Sequence, residues 1–196
     1  PPFPALSGRD RVRESHCLAC HARDDAGGIG GVALEVIKRA PELSPLLPAF
    51  SPPPLTGVGD KLRDEALDAA VRRTSGARRP WLAVRMPKFA WGDDEVAAVV
   101  SHLVAHDRVP DSAPAEARAA HVAELSTLGI TDIGLRTTGG RLVTQDGFGC
   151  TSCHAVGSVQ PPPAPLNARG PDLSQLGHRI RSEWFDRWVR SPARMV

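Results

Sequence analysis

Cys17-Leu18-Ala19-Cys20-His21 and Cys150-Thr151-Ser152-Cys153-His154 place one pattern, C-x-x-C-H, at two points 133 residues apart, and the four cysteines they contain are the only ones in the chain. C-x-x-C-H is the signature of c-type haem attachment. On a short helical turn the two thiols reach one side, where each can form a thioether to a haem vinyl group. The histidine then aims its imidazole at the iron as proximal ligand. A redox C-x-x-C and half of a zinc site are the alternatives. A redox pair needs neither the adjacent histidine nor a duplicate, and a structural zinc site pools four ligands closely. The motifs therefore predict two covalent haems c with their iron, one on Cys17, Cys20 and His21, the other on Cys150, Cys153 and His154.

That expectation suits the composition. The chain has 196 residues, enough for two small domains, with 41% hydrophobic residues but only 5% aromatics and no tyrosine. A thin core of this kind needs a staple, and a macrocycle for side chains to pack around supplies one. The 19 prolines and 18 glycines indicate long ordered loops between short helices. With every cysteine assigned to a motif, no disulfide is expected. A formal net charge of +2 is too near zero to imply nucleic acid as a partner. Haem c is attached outside the cytoplasm, which places the protein in the periplasm or an equivalent space. The chain begins Pro1-Pro2-Phe3, with neither an initiator methionine nor an apolar signal core, and this start is expected to be a processed or cut end. No apolar run is long enough to predict a membrane span.

In chain order, Ser7 is the expected cap of a helix leading into the first motif. Residues 22 to 52 read as an irregular stretch with a short helical segment over Val32 to Ile37 and a flexible loop at Gly27 to Gly31. Asp64 is the expected cap of a helix through Ala66, Leu67, Ala70 and Val71. Arg72, Arg73, Arg78 and Arg79 form a basic cluster. Among these, Arg79, with the indole N–H of Trp81, is the best candidate to hold haem propionates. A helix starting at Gly92 to Glu95 carries Val96, Val99, Val100, Leu103 and Val104 as an apolar stripe and is expected to cross the first helix. His102 and His106 read as solvated, and with His16 and His121 are expected to stay away from iron. Residues 116 to 128 read as a helical connector. Leu135 to Thr144, with Gly139-Gly140 in the middle, reads as a β-hairpin leading into the second motif.

Two further elements resemble class I cytochromes c. Pro53-Pro54-Leu55 is similar to the P-x-L loop of that family, whose proline carbonyl accepts from the second nitrogen of the proximal imidazole. Arg85-Met86-Pro87-Lys88-Phe89 resembles its distal loop, which implies Met86 as sixth ligand of the first iron. The resemblance covers roughly residues 1 to 108 and 140 to 196.

The second half also repeats the first at an offset of 118 residues. Pro53, Leu55, Gly59, Arg63, Glu65, Asp68, Val71 and Arg72 match Pro171, Leu173, Gly177, Arg181, Glu183, Asp186, Val189 and Arg190, and Leu62 pairs with Ile180. A repeat in this register predicts two homologous units, and Pro171 inherits the role expected of Pro53. The fold class is mainly α, with two small cytochrome c-like helical domains, long Pro/Gly-rich loops and a short hairpin. The first domain is expected over 1–108, a linker over 109–139, and a C-terminally incomplete second domain over 140–196.

The offset puts the counterpart of Met86 at position 204, beyond Val196. The second distal ligand is thus left open, with Met195 a possible substitute by reach and a missing loop and helix the preferred reading. Saturated histidine–methionine ligation points to electron transfer between a dehydrogenase or respiratory donor and an acceptor, with redox proteins or fused dehydrogenase domains as partners. The alternative is a dihaem enzyme, a peroxidase or thiosulfate-type dehydrogenase, with one reactive iron.

Overall fold

Helix-forming stretches separated by proline and glycine lead here to short helices wrapped by ordered loops. The computed structural model describes residues 4–47, 51–81, 84–110, 115–165 and 168–191. Its helices are α1 (Pro4–Glu14), α2 (Gly30–Arg39), α3 (Val58–Lys61), α4 (Asp64–Arg72), α5 (Asp93–Asp107), α6 (Ala115–Thr127), α7 (Asp132–Leu142), α8 (Leu176–Arg179) and α9 (Ser182–Arg190). Two-residue strands β1 (Ala22–Arg23) and β2 (Ala26–Gly27) pair antiparallel. One compact unit runs to Val109 and resumes at Gln175; the other is Pro110–Ser174.

In the first unit the core is Val12, Leu62, Leu67, Val71, Val96, Val99 and Leu103. The α5 stripe faces inward as its period requires, and α1 crosses it. A Cβ at Gly8 would lie 1.9 Å from the Ala98 carbonyl oxygen, so only glycine lets the two backbones approach this closely. Gly59 does the same for α3, where a Cβ would meet the Leu103 carbonyl oxygen at 2.2 Å. Glu95 accepts from the Gly92 N–H at 2.9 Å and closes the start of α5, where the helix dipole also favours its acids.

Two expected caps are corrected. Ser7 lies inside α1. α4 begins with Asp64 itself, and the residue before it is Arg63. The stretch Gly27 to Gly31 is not a free loop either: it completes β2 and opens α2.

The repeat is visible as a local two-fold. Leu62 and Ile180, equivalent in sequence, face each other in an isolated antiparallel bridge. The Arg63 N–H donates to Arg179 (2.9 Å) and the Arg181 N–H to Lys61 (3.1 Å), two bonds that exchange under the repeat offset. Ile180 packs against the core. Asp60, with a 5% exposed side chain, receives both Arg181 and Arg187 from the C-terminal stretch, while Lys61 sits 4.7 Å over the buried Trp184 ring.

In the second unit α6 covers the stretch expected to be helical. The expected hairpin at Leu135 to Thr144 is overturned: Leu135 to Leu142 belong to α7, and Val143 is its C-cap. Thr131 Oγ1 accepts the Gly134 N–H at 3.1 Å and starts a helix that Asp132 in the first turn and Thr137 bonding back to Ile133 sustain. Gly139-Gly140 ends up in the last helical turns, where glycine is tolerated at a cost of about 1 kcal/mol each. The turn after α7 is tight, since a Cβ at Gly147 would meet the Leu142 carbonyl at 2.3 Å. It delivers the chain to the second motif.

Candidate functional site

Both C-x-x-C-H motifs fold into one backbone shape. Cys17–Ala19 and Cys150–Ser152 are single 3-10 turns. Each is entered through a left-handed residue, His16 (φ 52°) in one and Gly149 (φ 67°) in the other. The histidine N–H closes back on the first cysteine carbonyl in both, His21 to Cys17 at 2.9 Å and His154 to Cys150 at 3.0 Å. The turn leaves both thiols of each motif free. Burial pushes the Cys17 thiol up, against an opposing backbone hydrogen bond.

The segment after each histidine has a shared form as well. β1 and β2 form a hairpin whose turn residues Asp24 and Asp25 have positive φ. The Val156–Val159 bridge takes the same register around Gly157, again at positive φ. The P-x-L loop docks on this hairpin through three paired contacts. The Leu55 N–H donates to Ala22 at 2.8 Å and the Leu173 N–H to Ala155 at 2.9 Å. Thr56 accepts the Asp24 N–H at 2.8 Å, and Ser174 accepts the Gly157 N–H at 2.7 Å. His21 Nδ1 lies 2.7 Å from the Pro53 carbonyl, and His154 Nδ1 lies 2.7 Å from that of Pro171. A carbonyl only accepts, so Nδ1 carries the proton in both and Nε2 is left as the ligating nitrogen.

At the first motif a cavity of about 280 Å³ is lined by Cys17, Cys20, His21, Pro53, Arg79 and Met86, with Pro52, Val84, Pro87 and Phe89 adding apolar wall. Phe89 stacks on Trp91 at 4.3 Å. The group implied by the motif is a haem, and the residues fit it: thiols, imidazole and thioether share one largely apolar cavity. Arg79 lines it with both terminal nitrogens 3.1 Å from the Ser51 carbonyl. The Trp81 indole N–H is buried and has no partner among the described residues, and Trp81 is not one of the residues lining this cavity. His16 also lines this cavity.

The second motif has a feature that composition did not signal. A Cβ at Gly170 would fall 2.3–2.6 Å from three atoms of the His154 ring, so only glycine leaves the imidazole its place. The residue at that point of the repeat in the first half is Pro52. Met195 lies outside the described residues.

Another group was missed in the first unit. Arg23 is buried, and its guanidinium donates to the Leu55 carbonyl (2.9 Å) and to both Asp107 oxygens (2.5 and 3.4 Å). Asp107 also accepts the Gly59 N–H at 2.9 Å. His106, expected to be solvated, is 57% exposed, with its Nδ1 2.8 Å from Arg23. A signal did exist: Asp107 lies four residues after Leu103, on the continuation of the buried stripe, where an acid demands a cation. Of the basic cluster, Arg72 is bonded to Asp68 (2.7 Å) and Asp93 (2.8 Å).

Among the described residues no three His, Cys, Asp or Glu side chains gather as a metal-ion site, and no helix is long and apolar enough to cross a membrane. The family model for cytochrome c matches residues 6–107. No curated protein and no solved structure matches the chain.

Proposed function

The chain belongs to the cytochrome c family, and from that membership we propose that it is an extracytoplasmic carrier of electrons with two haems c, one at each motif. One observation carries the dihaem reading. The turn, hairpin and 2.7 Å proximal contact of the first site recur at the second, built from different side chains around the same Cys, His and Pro. When bound, haem iron supplies a one-electron couple.

The chain's own residues do the rest. Cys17 and Cys20, and likewise Cys150 and Cys153, tether the macrocycle. His21 and His154 ligate through Nε2, with ring orientation and tautomer held by Pro53 and Pro171, which raises ligand basicity. Met86 completes the first ligand set, so that site exchanges electrons without an open position for chemistry. Arg79 is the donor for its propionates. Redox proteins, or dehydrogenase domains on a longer chain, are the partners such a carrier serves.

Pyridine haemochrome quantitation tests this, with two haems per chain expected and one after replacing Cys150 and Cys153 by alanine. One haem in the unaltered protein would sink the dihaem reading.

A further inference from the structure

The proximal hydrogen bond at the first site depends on where the Pro53 carbonyl is held, and the loop bearing it has few anchors. Two, the Leu55–Ala22 and Thr56–Asp24 contacts, have counterparts at the second site. The others have none among the described residues: Arg23 grips the Leu55 carbonyl, Asp107 grips both Arg23 and the Gly59 N–H, and Arg108 donates to the Gly59 carbonyl at 2.8 Å. The Asp107 side chain is 3% exposed and that of Arg23 is 9% exposed, so neither contact is shared with bulk water. At the place of Arg23, counted from the motif, the second site has Val156, whose side chain can bond no carbonyl.

Resting on the haem reading above, we propose that Arg23 and Asp107 are positioning residues that clamp the Pro53–Gly59 loop and thereby set the potential of the first site. A firmly placed carbonyl takes more of the Nδ1 proton, makes the imidazole a stronger donor to iron and favours the oxidised state. Loosening the clamp weakens that bond and raises the potential. A field effect behaves otherwise. Removing the carboxylate would raise the potential, but removing the guanidinium would lower it.

Spectroelectrochemical titration of the holoprotein separates the two. Asp107→Asn and Arg23→Leu, opposite in charge change, are both expected to raise the potential of the first site and leave that of the second unchanged. The His21 Nδ1–H resonance of the reduced protein is expected to move upfield in both. Thr56→Val, which removes one exposed anchor and no charge, is expected to shift the potential the same way by less; should either buried variant fail to fold, Arg23→Lys, which keeps the charge and loses the forked grip on Leu55 and Asp107, is expected to raise the potential too, and no shift in it overturns the clamp. Shifts of opposite sign, or no shift, overturn the clamp. Haemochrome counts taken on the same samples keep this separate from the parent reading, since an unaltered protein without haem at Cys17 and Cys20 overturns both.

Discussion

The two motif sites share their backbone and differ in what surrounds it. At both, a left-handed residue, a 3-10 turn, a tight hairpin and a docked P-x-L loop bring the imidazole to a proline carbonyl. At the first, an apolar cavity with Met86 adjoins the imidazole and a buried ion pair braces the loop. At the second, a glycine backbone lies against the ring and valine stands where the bracing arginine would be. The common geometry thus joins a motif turn and hairpin to a proline loop 32 residues on at the first site and 17 at the second, while the side chains around it differ.

The sharpest way to break this comparison is at Gly170. Gly170→Ala places a methyl within 2.3 Å of the His154 ring, and the imidazole has to leave its place. The expected outcome is a changed spectrum of one haem of the two, with the first site unaffected; unchanged electron paramagnetic resonance would show that the ring does not need the glycine.

Next comes the asymmetry of the repeat. Asp60 is buried between Arg181 and Arg187, whereas its equivalent, His178, is exposed. Asp60→Ala is expected to cost about 3–5 kcal/mol, because it removes the buried carboxylate that two half-buried guanidinium groups share. His178→Ala is expected to stay within about 0.5 kcal/mol. Denaturant melts of both variants check this, and equal losses would refute the asymmetry.

A smaller effect sharpens the difference in ligation. Met86→Ala is expected to keep both haems attached and to lower one potential on the order of 0.1 V, within the ~0.8 V that axial ligands span. The iron–methionine charge-transfer band is expected to vanish. Its persistence would remove Met86 from the ligand set.

Much of the first site could be read from residue order, because its parts are short-range motifs. The cysteines and histidine sit within five residues, and Pro53 and Met86 lie in recognisable loops. Asp107 escaped notice because its partner is 84 residues away on the hairpin. Gly170 escaped because a glycine's reason is visible only in what it touches. At Leu135 to Thr144 the glycine pair suggests a turn, but Thr131 caps a helix that runs through the pair to Leu142.

The repeat shows where the sequence stops deciding. It determined that 64–72 and 182–190 are both helices, since charge spacing and apolar period are local properties that survive the offset. It did not determine which face each buries. Leu67 and Val71 are 4% and 9% exposed beneath α5, while their equivalents Phe185 and Val189 are 42% and 54% exposed. α9 instead turns Trp184 inward and anchors through Arg181 and Arg187 on Asp60. Burial is a property of pairs of surfaces, and the partner surface, α5 for one helix and the Asp60–Lys61 edge for the other, exists only once the chain has folded.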